Sequence, residues 1–275
     1  MQATGSIGNL HELISAVEAT AQALNNSRLW WRGEPRVDDW RLRPKMFRKE
    51  CHPLAEAHVL MSFKKGATAR YSACPRHDDT VGWMFLAQHH GAPTRLLDWT
   101  ESPLIAAFFA VAADPDAPGR LWGLCPFAMN NGVFGEAAIV QPGRYPAAEL
   151  VATAWNGKKP NADSPTVTAI VASENSQRML MQLGAFTIHG VRTPLDDYPN
   201  AERFLRCYDV PAAAKKPLAA QLARAGIRRS SLFPDLDNLS AEIAATHVDG
   251  WPVGAPPAIE TLAEPIGGSV VVGDV

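Results

Sequence analysis

The chain of 275 residues has a formal net charge of −2, with 47% hydrophobic and 20% charged residues. This composition is typical of a globular protein and gives no sign of a general affinity for nucleic acid or anionic membranes, although it does not exclude a local basic cleft. The sequence has no apolar run near the ~20 residues that cross a bilayer and no signal-peptide pattern at its start, so we expect a cytoplasmic protein without a membrane partner.

The first part of the sequence predicts helices separated by one short strand. Residues 9–24 repeat apolar side chains at helical spacing, and Asn9 with Glu12 resembles a capping box. Residues 29–33 then predict a strand that stops at a glycine turn. A helical pattern returns from about residue 54 to residue 71.

The next part predicts two helices joined by a loop. Residues 81–90 have the pattern of a helix that ends at Gly91, and residues 92–100 are interpreted as a loop. Ser102 is suited to cap a further helix over residues 103–113. Because that helix is apolar nearly all round, we expect it to lie at the centre of the core.

The second half predicts mainly strands. Short apolar runs bounded by turn residues occupy 120–125, 137–140, 167–171, 185–189 and 204–210. One later helix is expected to end at Gly226, and a short one to cover residues 241–246. Helices first and strands later favour an α+β fold, with N-terminal helices packed on a mostly antiparallel β-sheet core. We expect a single domain over residues 1–250, followed by a Pro- and Gly-rich tail at 251–275.

The densest group of reactive side chains lies in residues 88–100. This stretch contains His89, His90, Arg95 and Asp98, and it leads into the N-terminus of the predicted buried helix. Such an N-terminus attracts a phosphate or carboxylate, which Arg95 could clamp. Either histidine could act as an acid or base near neutral pH. The alternative is structural, with an Arg95–Asp98 salt bridge and histidines that cap the preceding helix.

A second candidate is the Trp30–Glu34 stretch. A strand that ends in Arg32-Gly33 would place a guanidinium beside bare backbone, which suits the close approach of a phosphate or ribose. The alternative is a surface turn in which Arg32 pairs with Glu34.

Two further groups of polar residues are weaker candidates. Arg178 and Gln182 precede an apolar strand and could face the same cleft, or they could simply solvate a sheet edge. The adjacent side chains of His89 and His90 point in different directions on a helix, and the four cysteines are widely scattered. No metal site is therefore expected.

These residues together resemble the FRG-domain family. Its aromatic-Arg-Gly motif is matched by Trp31-Arg32-Gly33, and its string Q-H-x-G-x-P-T-R-L-L-D-W-T is matched by residues 88–100. Residues 178–186 resemble the later segment R-x-x-x-Q-x-G-x-F. The resemblance covers roughly residues 28–245.

The order of these motifs is similar to that of ADP-ribosyltransferases, which implies a fold like theirs. In those enzymes an arginine on the first strand holds NAD phosphate or ribose, and Arg32 matches that position. Residues 98–100 occupy the place of the strand that shapes the nicotinamide pocket. The chain departs from the pattern at the third motif, because Gln177 or Arg178 stands where a catalytic Glu is expected and Glu174 is offset by several residues.

The resemblance implies an enzyme that uses NAD as its substrate and transfers ADP-ribose to a protein or nucleic acid, or cleaves NAD, as a bacterial toxin or phage-defence effector. The alternative is a module that binds or senses a nucleotide-like small molecule in the same cleft without turnover. The catalytic residues implied are Asp98, His89 and Glu34. The ligand-binding residues implied are Arg32, Gly33, Gln88, Arg95, Thr100, Arg178 and Gln182.

Overall fold

A seven-stranded sheet forms the centre of the protein. The computed structural model describes residues 1–25, 27–37, 41–50, 52, 54–158, 166–171 and 177–247. The strands are β1 (Gly5–Ser6), β2 (Trp30–Glu34), β3 (Leu96–Thr100), β4 (Gly119–Leu124), β5 (Val167–Ile170), β6 (Gly184–His189) and β7 (Leu205–Val210). Their order in the sheet is β1-β7-β4-β2-β3-β6-β5, and every neighbouring pair is antiparallel except β1 with β7. The sheet is therefore mostly antiparallel, as predicted.

Ten α-helices surround the sheet in the described part of the chain. They are α1 (Leu10–Ala23), α2 (Ala55–Thr68), α3 (Thr80–His89), α4 (Pro103–Val111), α5 (Pro126–Phe134), α6 (Ala147–Asn156), α7 (Gln177–Met181), α8 (Ala212–Arg224), α9 (Arg229–Leu232) and α10 (Leu236–His247). One 3₁₀ turn that bears on the site covers Lys45–Phe47.

The core is divided into two groups of helices on one face of the sheet. Helices α1, α4 and α8 pack on β2, β4 and β7, whereas α2, α3 and α6 pack on β3, β5 and β6. A third apolar cluster, which includes Trp99, Trp122 and Met129 of α5, covers the opposite face. Trp31 of β2 and Thr100 of β3 are paired, so their side chains point to the same face of the sheet. On that face the first helix group covers β2 and the second covers β3. The boundary between the two helix groups therefore falls between β2 and β3.

Local capping signals correctly placed several helices. The Asn9 side chain accepts a hydrogen bond from the Glu12 N–H at 3.0 Å, and Ser102 accepts one from the Ile105 N–H at 3.3 Å. The predicted helices at residues 9–24, 54–71, 81–90 and 103–113 correspond to α1 to α4, each within a few residues.

Other predicted elements were wrong. Residues 96–100 form strand β3, not a loop, because Leu96, Leu97 and Trp99 are all buried and only Asp98 is exposed. Strand β2 does not stop at Gly33 but continues to Glu34.

The second half of the chain is richer in helix than its apolar runs suggested. Helices α5 and α6 were missed, and the strand predicted at 137–140 is reduced to one bridge from Val140 to Ile170. The fold is thus a mixed α/β arrangement, with helices distributed along the sequence.

Some predictions cannot be compared with the structure. The 251–275 tail, most of the loop at 156–164 and Glu174 lie outside the described residues. Within the described residues, none of the helices has both the length and the apolar character needed to cross a membrane.

Candidate functional site

The sheet opens between β2 and β3. These strands pair at a single position, Trp31 with Thr100, whereas β2 pairs with β4 and β3 pairs with β6 along their whole lengths. The two helix groups on the covered face also part at this line. A cavity of about 1050 Å³ lies there, which we call the cleft.

Charged side chains from both sides of β3 line the cleft. The cations are Arg32, Lys45, Arg48 and Arg178, and the carboxylates are Asp98 and Asp235. The imidazoles of His89 and His90 lie among them. Four cations line the described part of the cleft with two carboxylates, and the buried Glu34 carboxylate contacts Arg32 from behind. These groups leave a surplus of one positive charge, although the whole chain carries −2. The cleft is therefore a local site for an anion.

Arg32 and Asp98 belong to the two strands that part at the cleft. The Arg32 Nη1 donates to the Asp98 carbonyl at 2.8 Å, so its guanidinium bridges the gap. Its Nε lies 3.3 Å from the Glu34 carboxylate, which in turn accepts from the Trp122 indole at 3.0 Å. Glu34 is buried behind Arg32 and does not line the cleft, and burial raises the pKa of its carboxyl. The structure therefore gives Glu34 a role in positioning Arg32, not the catalytic contact predicted.

Gly33 lines the cleft, but the requirement for glycine comes from packing. A Cβ at this position would lie 1.8 Å from the Ala106 carbonyl oxygen and 2.6 Å from the Ala110 nitrogen. Strand β2 therefore contacts the backbone of α4 directly. The close approach of a phosphate to Gly33 stays a prediction, since its backbone also lines the cleft.

Asp98 is held in place by a short chain of hydrogen bonds. Its carboxylate accepts from the Gln88 amide at 2.7 Å, and the Gln88 carbonyl accepts from the Thr94 hydroxyl at 2.6 Å. The charge of Asp98 also attracts Arg48 and Arg178. This places a fixed carboxylate in the cleft, where two arginines interact with its charge.

The side of the cleft next to β6 contains Arg178 and His89. The guanidinium of Arg178 lies 4.6 Å from the centre of the Phe233 ring and donates to the His89 carbonyl at 3.4 Å. Burial, together with the charges of His90 and Arg178, lowers the pKa of the His89 imidazole. His89 is consequently neutral at pH 7 and suited to accept a proton.

The structure places Arg95 away from the cleft, contrary to its predicted ligand-binding role. Its buried guanidinium binds the Glu56 carboxylate at 2.8 Å and the Thr153 hydroxyl at 2.6 Å. The proposed Arg95–Asp98 salt bridge is also wrong. Arg95 instead ties α2 and α6 to the start of β3, a structural role typical of a buried ion pair.

Thr100 and Gln182 lie at the cleft, but their polar groups bind other parts of the protein. The Thr100 hydroxyl donates to the Gln182 carbonyl at 2.7 Å and accepts from the Ser102 N–H at 3.1 Å. The Gln182 amide donates to the Leu232 carbonyl at 3.1 Å. These bonds join α7 and α9 to β3, so both residues have a structural function here.

Sequence reasoning missed Lys45, Arg48 and Asp235 as lining residues. Lys45 donates to the Gly91 carbonyl, which fixes the 3₁₀ turn against the end of α3. The signal for Lys45 and Arg48 in the sequence is the excess of basic residues at 41–49.

Comparison with known proteins identifies the part of the chain that carries most of this site. Residues 27–118 match the family model of the FRG domain. The chain contains an FRG domain. The matched segment includes β2, α3 and β3, and hence Arg32 and Asp98, whereas Arg178 of the cleft lies beyond it. No curated protein and no solved structure matches the chain. In the described part of the FRG-domain protein, no cluster of His, Cys, Asp and Glu could hold a metal ion.

Proposed function

We propose that the cleft of this FRG-domain protein binds NAD and that the protein is an ADP-ribosyltransferase-like enzyme in fold and activity. It would transfer ADP-ribose to a macromolecule or to water. The observation that carries the proposal is the 2.8 Å contact by which Arg32 joins the Asp98 strand at an anion-attracting cavity. Two motifs far apart in sequence thereby contribute to one site.

The size and lining of the cleft suit a dinucleotide. Small-molecule pockets have volumes of roughly 300–1,000 Å³, and the cleft, at about 1050 Å³, is slightly larger. Arg32 and Arg48 offer guanidinium groups to a pyrophosphate. Phe85 and Phe186 pack edge to face at 4.9 Å and provide an apolar surface for a ring.

The chemistry requires one bond to break and one to form. The bond between the ribose C1′ and the nicotinamide nitrogen breaks, and its electron pair leaves with neutral nicotinamide. Asp98 would stabilise the positive charge that develops on the ribose. An acceptor hydroxyl or amine, or water, then bonds to C1′ and gives its proton to the neutral His89 imidazole. Asp98 thus takes the part of the glutamate that the third motif lacks.

The second candidate function is binding or sensing of the same nucleotide without turnover. It is favoured by the surroundings of Asp98, whose carboxylate already accepts from Gln88 and faces Arg48 and Arg178. Positive charge this close would oppose an oxocarbenium-like transition state. The two functions share the ligand and differ in its cleavage.

Incubation of the purified protein with NAD, with free nicotinamide followed over time, separates these functions. Release of nicotinamide supports the enzyme. Binding of NAD or ADP-ribose in a calorimetric titration without release supports the module. Absence of both binding and release contradicts the two together.

Replacing Arg32 by alanine is expected to weaken ADP-ribose binding about 100-fold, or about 3 kcal/mol, because a charge-assisted contact to the pyrophosphate is lost. Calorimetric titration measures the change. Arg144→Ala is the matched control, since Arg144 is exposed and absent from the cleft lining. An Arg32→Ala protein that binds ADP-ribose as well as Arg144→Ala would contradict the proposed role of Arg32.

Thr100→Val should change stability and leave affinity nearly unaltered. The substitution removes the donor to the Gln182 carbonyl and the acceptor for the Ser102 N–H, which costs about 1–2 kcal/mol. Urea denaturation measures this loss, and ADP-ribose affinity should stay within about twofold. A large loss of affinity with unchanged stability would restore Thr100 as a ligand-binding residue.

A further inference from the structure

Exposed cations lie next to residues that line the cleft. Lys45 and Arg48 line the cleft, and Lys49, which follows Arg48 in the chain, is exposed. Arg178 also lines the cleft and lies 4.6 Å from the centre of the Phe233 ring. The exposed Arg229 lies 5.5 Å from the centre of the same ring. Three lining cations and two exposed cations next to them therefore make this region positively charged.

Exposed aromatic rings lie at the same cleft. Tyr71 is 37% exposed and lines the cleft, where its ring meets that of His90 edge-on at 6.0 Å. His90 is exposed as well. A cationic groove that offers accessible ring faces is the combination by which proteins bind single-stranded nucleic acid, because phosphates follow the charges and bases stack on the rings.

We infer that single-stranded nucleic acid is the macromolecule that binds across this cleft. The inference rests on the proposed function in one respect, since it names the substrate class that would receive ADP-ribose. Phosphates of the strand contact Lys49 and Arg229, and one base enters the cleft against Tyr71. The volume of about 1050 Å³ leaves room for part of such a strand beside a nucleotide.

A single strand fits these features better than an acidic protein or a duplex. An acidic polypeptide could bind the same cations, but it has no bases to stack on the exposed rings of Tyr71 and His90. A duplex keeps its bases stacked inside, so it could not place one in the cleft without unpairing it. The net charge of −2 for the whole chain limits the attraction to this region.

Fluorescence anisotropy with labelled single-stranded DNA and RNA of mixed sequence tests the inference. Both probes, or one of them, should bind in a salt-dependent manner, and any preference identifies which polymer is the partner. The double variant Lys49→Glu/Arg229→Glu should weaken binding at least about 10-fold. Tyr71→Ala should weaken it about 10-fold through lost stacking.

The matched control is Arg144→Glu/Arg203→Glu, which makes the same change in net charge at two exposed residues outside the cleft lining. It should bind within about twofold of the unaltered protein. Circular dichroism of each variant verifies that it is folded, because Arg229 also contacts Asn238.

Three outcomes would overturn the inference. They are equal losses in the two double variants, tighter binding of polyglutamate than of either oligonucleotide, and duplex binding as tight as that of the single strand. The NAD proposal is tested separately by nicotinamide release without any polymer. Oligonucleotide binding without NAD binding or release would leave this inference standing and remove the proposed function.

Discussion

The Asp98→Asn protein is expected to release nicotinamide from NAD about 1000-fold more slowly than the unaltered protein, a loss of about 4 kcal/mol in transition-state stabilisation. The substitution preserves the shape of the side chain, and the Gln88 amide, now 2.7 Å from the carboxylate, can still donate to the Asn oxygen. What disappears is the negative charge that faces the developing charge on the ribose. The rate of nicotinamide release at saturating NAD measures the effect.

The same variant should bind ADP-ribose as tightly as before or more tightly, since a carboxylate no longer repels the pyrophosphate. Asp116→Asn is the control, because Asp116 is exposed and lies outside the cleft lining. Equal rates for the two variants would show that Asp98 is not the catalytic acidic residue. Loss of ADP-ribose binding in Asp98→Asn would instead indicate a structural defect in the cleft.

Gly33→Ala is expected to destabilise the fold by about 5 kcal/mol or more, comparable with the whole stability of many small domains. The added methyl carbon would lie 1.8 Å from the Ala106 carbonyl oxygen, and neither backbone can yield while β2 stays paired with β4. Most of the protein should therefore be insoluble or unfolded at room temperature. Urea denaturation followed by circular dichroism measures the residual stability.

Gly132→Ala provides the matched control for this substitution. Gly132 lies in α5, where a Cβ would meet no atom within 4 Å, so alanine should stabilise the helix by roughly 0.5–1 kcal/mol. A Gly33→Ala protein as stable as Gly132→Ala would contradict the direct contact between β2 and the backbone of α4.

The features that the sequence predicted well are those set by neighbouring residues. The caps at Asn9 and Ser102 depend on residues three positions apart, so both are visible in the sequence. The family resemblance also predicted that Arg32 and Asp98 would share a site, and the structure does place both of them on the cleft.

The features that were mispredicted depend on distant parts of the chain. Arg95 was assigned to the ligand because its partner, Glu56, is 39 residues earlier and nothing local indicates the pair. The polar residues within 96–100 favour a loop when the sequence is considered alone. The apolar residues among them form a strand that is buried by packing against α3 and pairing with β6, which are tertiary contacts. Lys45 and Arg48 reach the cleft through the contact of a 3₁₀ turn with the end of α3, which is likewise a tertiary feature.

A crystal structure of the protein with ADP-ribose would test the central claim most directly. We expect the pyrophosphate to lie within hydrogen-bond distance of the Arg32 guanidinium, with the terminal ribose next to Asp98. Density for ADP-ribose elsewhere on the protein, with Arg32 still bound only to the Asp98 carbonyl and Glu34, would contradict it.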